Sequence, residues 1–259
     1  GFNYDLAHAG KGPSDGWVFF TTYNTERAYT KLEENASQND KDFIAAVNWK
    51  QAEACVSAGK TQTVASRYAH NWMDEKSRVA KHEMKTSVKM LNPRDCPGTV
   101  YFLPTPKSPH GVDVDPSGEY IVASGKLAAL IPVHSFSKMQ KAIADKAFET
   151  EFEGIPVLQY DATIPGEVQK PGLGPLHTEF DGKGNAYTSM FISSEVVKWK
   201  LGTWEVLDRI PVYYSVGHIT IPGGGGPIYG GAVNAAGDLW MVNRGANRLI
   251  RVDALTLGF

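Results

Sequence analysis

The chain has 259 residues, of which 42% are hydrophobic and 21% charged, a balance typical of a folded globular protein with a sizeable core. A formal net charge of -2 argues against a general attraction to nucleic acid or to an anionic membrane surface. No apolar run approaches the roughly 20 residues needed to cross a bilayer, and the sequence opens at Gly1 without a signal peptide, so we expect a mature or cut fragment.

A unit made of a glycine turn and a short strand rich in β-branched and aromatic residues recurs along the chain. The four turns are centred on Gly16, Gly118, Gly184 and Gly237. A second strand follows in "LAALIPVHSF", "SSEVVKWKL" and "NRLIRVDALTL". This irregular repeat predicts an all-β fold, a partial β-propeller of about four blades with short helical insertions. An unrelated β-sandwich with frequent turns would give a similar periodicity.

The insertions between these units carry helical patterns. A strand is expected to run into a short helix that Asn48 caps and Gly59 ends. The charged segment Val64–Val88 lacks strand alternation and predicts an exposed helical excursion. Residues 137–147 predict a short amphipathic helix, with Ser135 or Ser137 as its cap.

The two cysteines, Cys55 and Cys96, lie 41 positions apart and match no Cys-x-x-Cys metal or redox pattern. A disulfide between them is one interpretation. The spacing alone favours two free thiols, and it does not define the compartment.

A run of four glycines followed by proline divides the sequence near its end and predicts a flexible joint. Residues 1–224 precede this division, and residues 225–259 form a compact blade-like stretch. That stretch is either a genuine fourth blade or foreign sequence joined by a linker, and its length favours the join.

Three of the seven histidines occupy similar positions relative to predicted strands. His110 and His177 lie eight and seven residues before a turn glycine, and His218 follows a small-residue turn. In a propeller this is where the innermost strand begins, so the three side chains are predicted to point at the central channel and to form a soft-to-borderline metal site. Unrelated histidines at strand starts fit the spacing equally well. His134 is predicted to be a packed strand end, and His70 and His82 to be solvated.

Carboxylates near the turns offer a second kind of chemistry. Acid–base roles are conceivable for Asp113, Asp115, Glu179 and Asp181, but solvated turn positions explain them more simply. The segments 23–26 ("YNTE") and 39–42 ("NDKD") offer oxygen ligands on adjacent loops, which suits a hard cation such as Ca²⁺. Neither is an EF-hand loop.

Long stretches of the chain resemble nitrous oxide reductase, in its divergent branch. The resemblance is carried by "SPHGVDVDPSGEYIVASGKL", "GLGPLHTEFDGKGNAYTSMFISSEVVKW", "VGH" and "TTYNTERA", and it covers roughly residues 1–224. It implies a seven-bladed propeller with a four-copper sulfide cluster held by seven histidines. It also implies a C-terminal two-copper domain, a periplasmic head-to-tail homodimer, and reduction of N₂O to N₂ and water.

The resemblance also implies roles for individual residues. His110, His177 and His218 match three cluster ligands, and Lys126 matches a lysine near the cluster that places a positive charge by bound substrate or oxide. Three further residues, Tyr23, Glu26 and Asp42, match the calcium site, which carbonyls near Ala36 and Ser108 would complete.

Several of the family's features are missing from the sequence. The His-His pair, the Asp-Ile-His-Gly ligand and the late Glu-Pro-His ligand are absent. The two-copper domain is also absent, and Cys55 and Cys96 cannot supply its paired cysteines. After Gly224 the sequence looks instead like virginiamycin B lyase and related propellers. We therefore expect a middle section of the reductase propeller, closed or capped by another blade, that associates with itself or with complementary blades. A non-catalytic scaffold and a lyase-like propeller that uses a divalent cation are the competing interpretations.

Overall fold

The computed structural model describes residues 4–22, 42–65, 87–106, 108–212 and 214–221, together with the backbone of strands 229–234, 239–243 and 248–252. The predicted turn at Gly237 and the solvated His70 and His82 lie outside the described residues. The same is true of Tyr23, Glu26 and Ala36 at the predicted calcium site.

The described residues are mostly β-strands with short helices between them. The first ten strands are β1 (Ala7–Ala9), β2 (Trp17–Thr21), β3 (Phe43–Asn48), β4 (Gln62–Ala65), β5 (Ser87–Met90), β6 (Val100–Pro104), β7 (Pro109–Val114), β8 (Tyr120–Gly125), β9 (Leu130–Ser135) and β10 (Phe148–Phe152). The next ten are β11 (Ile155–Leu158), β12 (Gly166–Gln169), β13 (Pro175–Phe180), β14 (Asn185–Met190), β15 (Glu195–Lys200), β16 (Val206–Pro211), β17 (Val216–Thr220), β18 (Tyr229–Asn234), β19 (Leu239–Asn243) and β20 (Arg248–Val252). The helices are α1 (Trp49–Ser57), α2 (Phe136–Ala144) and α3 (Tyr160–Thr163), with 3-10 turns at Gly12–Ser14 and Pro93–Asp95.

Four sheets form the blades of a propeller. Blade 1 has the order β1-β2-β3-β6 and is extended by β11 and β10, and blade 2 has the order β7-β8-β9-β12. Blade 3 is β13-β14-β15-β16 and blade 4 is β17-β18-β19-β20. The edge strands β1, β7, β13 and β17 pack against one another in that order, so they are the innermost strands. The predicted partial β-propeller of four blades is thereby confirmed.

The predicted glycine turns lie between the innermost strand of a blade and the second strand. Gly16, Gly118 and Gly184 have φ of 96°, 76° and 81°, values at which a side chain would be strained. The strands predicted after all four turns are β2, β8, β14 and β19, and the predicted second strands are β9, β15 and β20.

The core lies between the blades because the middle strand of a blade is covered on both faces. In β8, Ile121 and Ala123 pack toward blade 1, whereas Val122 packs toward blade 3 beside Trp199. This is the period-2 alternation of a strand with two apolar neighbours. A third cluster, which includes Phe43, lies on the other face of blade 1.

The helix predictions are confirmed where the structure describes them. The Asn48 side chain accepts a hydrogen bond from the Gln51 amide at the start of α1, and Gly59 follows the end of α1 with φ of 76°. Ser135 caps α2 by accepting from the Lys138 amide. These caps satisfy amides that the first helical turn leaves without partners.

One prediction about the α1 region is wrong, and a second is wrong at the two ends of its segment. Cys55 and Cys96 form a disulfide rather than two free thiols, because α1 and the 3-10 turn before β6 pack together and bring the Cα atoms to 6.3 Å. The ends of the segment predicted to be a helical excursion are strands, since β4 pairs antiparallel with β5. Residues 66–86, between those strands, lie outside the described residues.

The fourth blade joins sequence from both sides of the predicted division at Gly224. Strand β17 precedes the glycine run and β18 follows it, and the two pair antiparallel. The three described strands of residues 225–259, β18, β19 and β20, therefore share a sheet with β17. Their origin remains a prediction.

Candidate metal centre on the propeller axis

The three histidines singled out in the sequence meet at the starts of three innermost strands. The ring centroids of His110 and His177 are 5.1 Å apart, and those of His177 and His218 are 4.8 Å apart, with the second pair stacked. His110 and His177 are half-buried, whereas His218 is exposed. We call these three residues the histidine row.

Each member of the histidine row lies where the innermost strand pairs irregularly with the second strand. The register shifts between Pro109 and Gly111 in β7, between Pro175 and Thr178 in β13, and between Val216 and Ile219 in β17. Such irregularities rotate side chains away from the alternation of a regular strand. They are the local reason why the three imidazoles meet.

Gly111 allows the strands of blades 2 and 3 to approach. A Cβ atom at this position would lie 1.6 Å from the Leu176 carbonyl oxygen and 3.4 Å from the His177 Cα. No side chain fits there. The glycine that follows His110 is therefore a requirement for the contact between His110 and His177.

Polar groups of blade 1 fix the position of His110. Its Nδ1 lies 2.5 Å from the Asp5 carboxylate, a contact that orients the imidazole ring. The buried Thr21 hydroxyl donates to the His110 carbonyl at 3.0 Å and accepts from the Leu6 amide at 3.1 Å.

His177 has the features expected of a metal-binding imidazole. Its Nε2 is buried and has no hydrogen-bond partner in the structure. Burial, as the largest cause, lowers the pKa of His177; the carboxylate of Asp113 acts in the opposite direction, and His110 and His218 lower the pKa further. A lowered pKa keeps the ring neutral near pH 7, which is the form that binds metals.

A second pair of an acid and a histidine lies deeper along the same strands. The Asp113 carboxylate is 3.7 Å from His8 Nδ1 and accepts from the Thr178 amide at 2.7 Å, so it bridges three blades. Burial, followed by the Asp113 charge, raises the pKa of Glu179. Asp113 lies in β7 and Glu179 lies in β13, so their interpretation as solvated turn residues is wrong.

The other two carboxylates do lie in turns, but they are buried and not solvated as predicted. Asp115 accepts from the Ser117 and Tyr120 amides, and Asp181 accepts from the Lys183 and Asn185 amides. Both stabilise the glycine turns of their blades.

Lys126, predicted to lie near the copper cluster, and Asp42, predicted for the calcium site, both contact Ser108. The Lys126 ammonium is 5.3 Å from the centroid of the Phe191 ring, and the Lys126 amide donates to the Ser108 carbonyl. Asp42 accepts from the Ser108 amide at 3.3 Å, so the structure brings these two residues of the predicted calcium site together.

The histidine row does not close around a single point. Within the described parts of the chain, no group of three or more His, Cys, Asp or Glu side chains is arranged to hold one metal ion. The ligand roles of the row remain predictions.

His134, predicted to be a packed strand end, is fully buried in β9 and hydrogen-bonds Thr163.

Sequence reasoning missed the residues that support the row. Asp5 and Thr21 were not identified, and neither was Ser189, whose hydroxyl lies between blades 3 and 4. Their only signal in the sequence is a small polar residue inside or next to an apolar strand, which many surface strands share.

The chain is similar to nitrous-oxide reductases over part of their length. It is 32% identical over 199 residues to the enzyme of Pseudomonas fluorescens, which is 77% of this chain and 26% of that protein. It is 31% identical over 209 residues to the enzyme of Stutzerimonas stutzeri, which is 77% of this chain and 28% of that protein. The chain thus spans about a quarter of the length of the curated relatives it matches. No family model matches.

Solved structures that resemble the chain support the fold alone. The structure of U3-55K aligns with a TM-score of 0.53 at 7% identity, over 96% of this chain and 51% of that one. Kuenenia stuttgartiensis hydrazine synthase aligns with a TM-score of 0.51 at 8% identity, over 96% and 47%. In the part of the chain that the structure describes, no helix is long and apolar enough to span a membrane.

Proposed function

We propose that these four blades carry part of a copper centre that reduces nitrous oxide to dinitrogen. The observation that carries the proposal is the histidine row, formed at the irregular starts of three adjacent innermost strands. The partial similarity to nitrous-oxide reductases favours copper and N₂O over other metals and substrates.

The donor set fits copper, but as part of a larger site. Imidazole nitrogens suit copper well, and His177 Nε2 is a buried nitrogen with no hydrogen-bond partner in the described part of the chain. The described residues supply three imidazoles that do not converge on one ion. We infer that a complete centre needs additional ligands from complementary blades.

Two members of the row and two residues outside it have distinct roles in this proposal. Asp5 would hold the His110 ring in place as a ligand, and burial keeps His177 unprotonated, the form that would bind copper. Lys126 places a positive charge where substrate or product oxygen is bound. When bound, copper supplies the redox centre at which N₂O takes up two electrons, from an external one-electron donor, and two protons to give N₂ and water.

The test is reconstitution with copper and sulfide, followed by N₂O consumption with a strong artificial reductant. We expect the chain alone to bind copper and to turn over little. The His177→Ala variant should weaken copper binding strongly, whereas His70→Ala should not. A chain that retains no copper, or equal affinity in both variants, would favour the non-catalytic scaffold instead.

A calcium site beside Asp42 and Ser108, which directly precede β3 and β7, is a second part of the proposal. The contact between Asp42 and Ser108 supports it, and Tyr23 and Glu26 would supply further oxygens. Ca²⁺ should raise the melting temperature because a ligand that binds only the folded state stabilises it. The Glu26→Ala variant should lose that increase, and a melt that is indifferent to chelator would count against the site.

We also propose that the protein resides in the periplasm and associates through its blades. The disulfide between Cys55 and Cys96 supports an oxidising compartment. Association with a second copy or with complementary blades would supply the missing ligands. Light scattering with and without copper would test this, and a strictly monomeric copper-loaded protein would argue against it.

A further inference from the structure

The irregular strand starts leave backbone groups of the histidine row outside the β-ladder, and one buried hydroxyl binds two of these segments. Ser189, in β14, is fully buried. Its Oγ donates to the Gly217 carbonyl at 2.5 Å and accepts from the His177 amide at 3.3 Å. One hydroxyl thus contacts the backbone of His177 and of the residue before His218.

We propose that Ser189 is a positioning residue that sets the spacing between His177 and His218. The histidine strands belong to different blades, and the stacked contact of their rings depends on how those blades approach each other. This inference rests on the proposed metal-binding role of the two histidines for its consequence. The geometric part stands without a metal.

Removal of the hydroxyl should affect both segments at once. In Ser189→Ala the Gly217 carbonyl and the His177 amide lose this hydrogen-bond partner. The alanine side chain is smaller than serine, so it introduces no steric clash. A buried backbone group without a partner is costly, so the Gly217 carbonyl should shift toward water or another donor, and the His177 amide toward water or another acceptor. Because the two segments have no reason to shift together, the stacking of the rings should be lost.

Thr188 provides a matched control on the same strand. It is also fully buried, and its hydroxyl bonds Thr178 Oγ1 at 2.8 Å and accepts from Trp199 Nε1 at 2.9 Å, on the opposite face from Ser189. Thr188→Val removes a buried hydroxyl from the same blade but leaves the Ser189 contacts intact.

The experiment compares the full chain with Ser189→Ala, Ser189→Thr and Thr188→Val. In the metal-free protein, nuclear Overhauser contacts between the rings of His177 and His218 are measured after histidine-selective labelling. In parallel, Cu(II) affinity is measured by titration and the Cu(II) environment by electron paramagnetic resonance.

We expect the ring contact to be lost in Ser189→Ala and retained in Ser189→Thr and Thr188→Val. Cu(II) affinity should fall about tenfold in Ser189→Ala, the scale of one or two lost hydrogen bonds, with an altered resonance spectrum. If the wild type binds no copper, the proposed function fails and the ring contact still decides the role of Ser189. A ring contact that persists in Ser189→Ala, or that is lost equally in Thr188→Val, overturns the inference.

Discussion

The middle strands of the blades and the innermost strands differ in how regularly they pair. Strands β8 and β14 pair with β9 and β15 in unbroken register. Strands β7, β13 and β17 pair with their neighbours irregularly, each time next to a histidine. In blades 2 to 4 the two middle strands pair regularly, whereas the innermost strand, which borders the axis, pairs irregularly with its neighbour. In blade 1 the innermost strand β1 pairs regularly.

The difference in pairing follows from how each strand satisfies its backbone hydrogen bonds. A middle strand has a partner strand on each side and apolar neighbours on each face, so its ladder meets its backbone hydrogen-bonding needs. An innermost strand has a partner on one side only, and its shifted segment needs hydroxyls or carboxylates such as those of Thr21, Asp113 and Ser189. Stability is therefore expected to depend on the middle strands, and chemistry on the innermost ones.

The largest expected effect is that of Gly111→Ala, which acts where the innermost strands of blades 2 and 3 meet. The added Cβ would overlap the Leu176 carbonyl oxygen, and because backbone cannot rotate away, blades 2 and 3 must separate. We expect a loss of at least about 4 kcal/mol in the free energy of unfolding, or failure to fold. Chemical denaturation measures it.

Gly217 is the matched control for this change. It lies in the corresponding irregular segment of β17, its φ is not positive, and a Cβ there meets no atom of the described residues within 4 Å. Gly217→Ala should change stability by less than about 1 kcal/mol. Similar losses in both variants would mean that glycine acts through backbone freedom rather than through the close approach of the blades.

The next largest effect should come from a middle strand. Ile121 in β8 is fully buried between blades 1 and 2. Ile121→Ala should lower the free energy of unfolding by about 3 kcal/mol, because it removes buried apolar area and leaves a cavity. Copper affinity of the folded fraction should stay unchanged, and a large fall in affinity would show that the two regions are not separable.

The sequence predicted the middle strands better than the site, for a physical reason. Glycine turns and alternating apolar residues are local signals, so β8, β14 and their partners could be assigned. The contacts of Asp5 with His110 and of Ser189 with Gly217 join residues 105 and 28 positions apart. They depend on how blades pack. The disulfide was missed for the same reason, since the separation of 41 residues says nothing about the packing of α1.

A third prediction concerns pH and a histidine that belongs to the core rather than to the axis. Burial lowers the pKa of His134 to about 3, from a model-peptide value of 6.5. Between these values the unfolded chain takes up a proton that the folded protein does not, so stability falls as the pH falls below about 6.5. From pH 7 to pH 5 this should cost about 2 kcal/mol.

The variant His134→Gln removes that proton uptake. The difference in slope between variant and wild type, from denaturation curves at several pH values, isolates His134 from the carboxylates, which titrate in both proteins. Parallel pH dependences in the two proteins would show that His134 is protonated in the folded state.

The smallest expected effect on stability is that of His177→Ala, and it separates the two regions most directly. A core histidine would cost as much on truncation as Ile121. His177 is half-buried, and its Nε2 has no hydrogen-bond partner among the described residues, so truncation removes packing but also removes a buried polar atom that destabilises the fold. The two effects oppose each other, and we expect a net change below about 1 kcal/mol, together with a strong loss of copper affinity. Denaturation and copper titration on one preparation measure both, and a loss near that of Ile121→Ala would identify His177 as a packing residue of the inner strand instead.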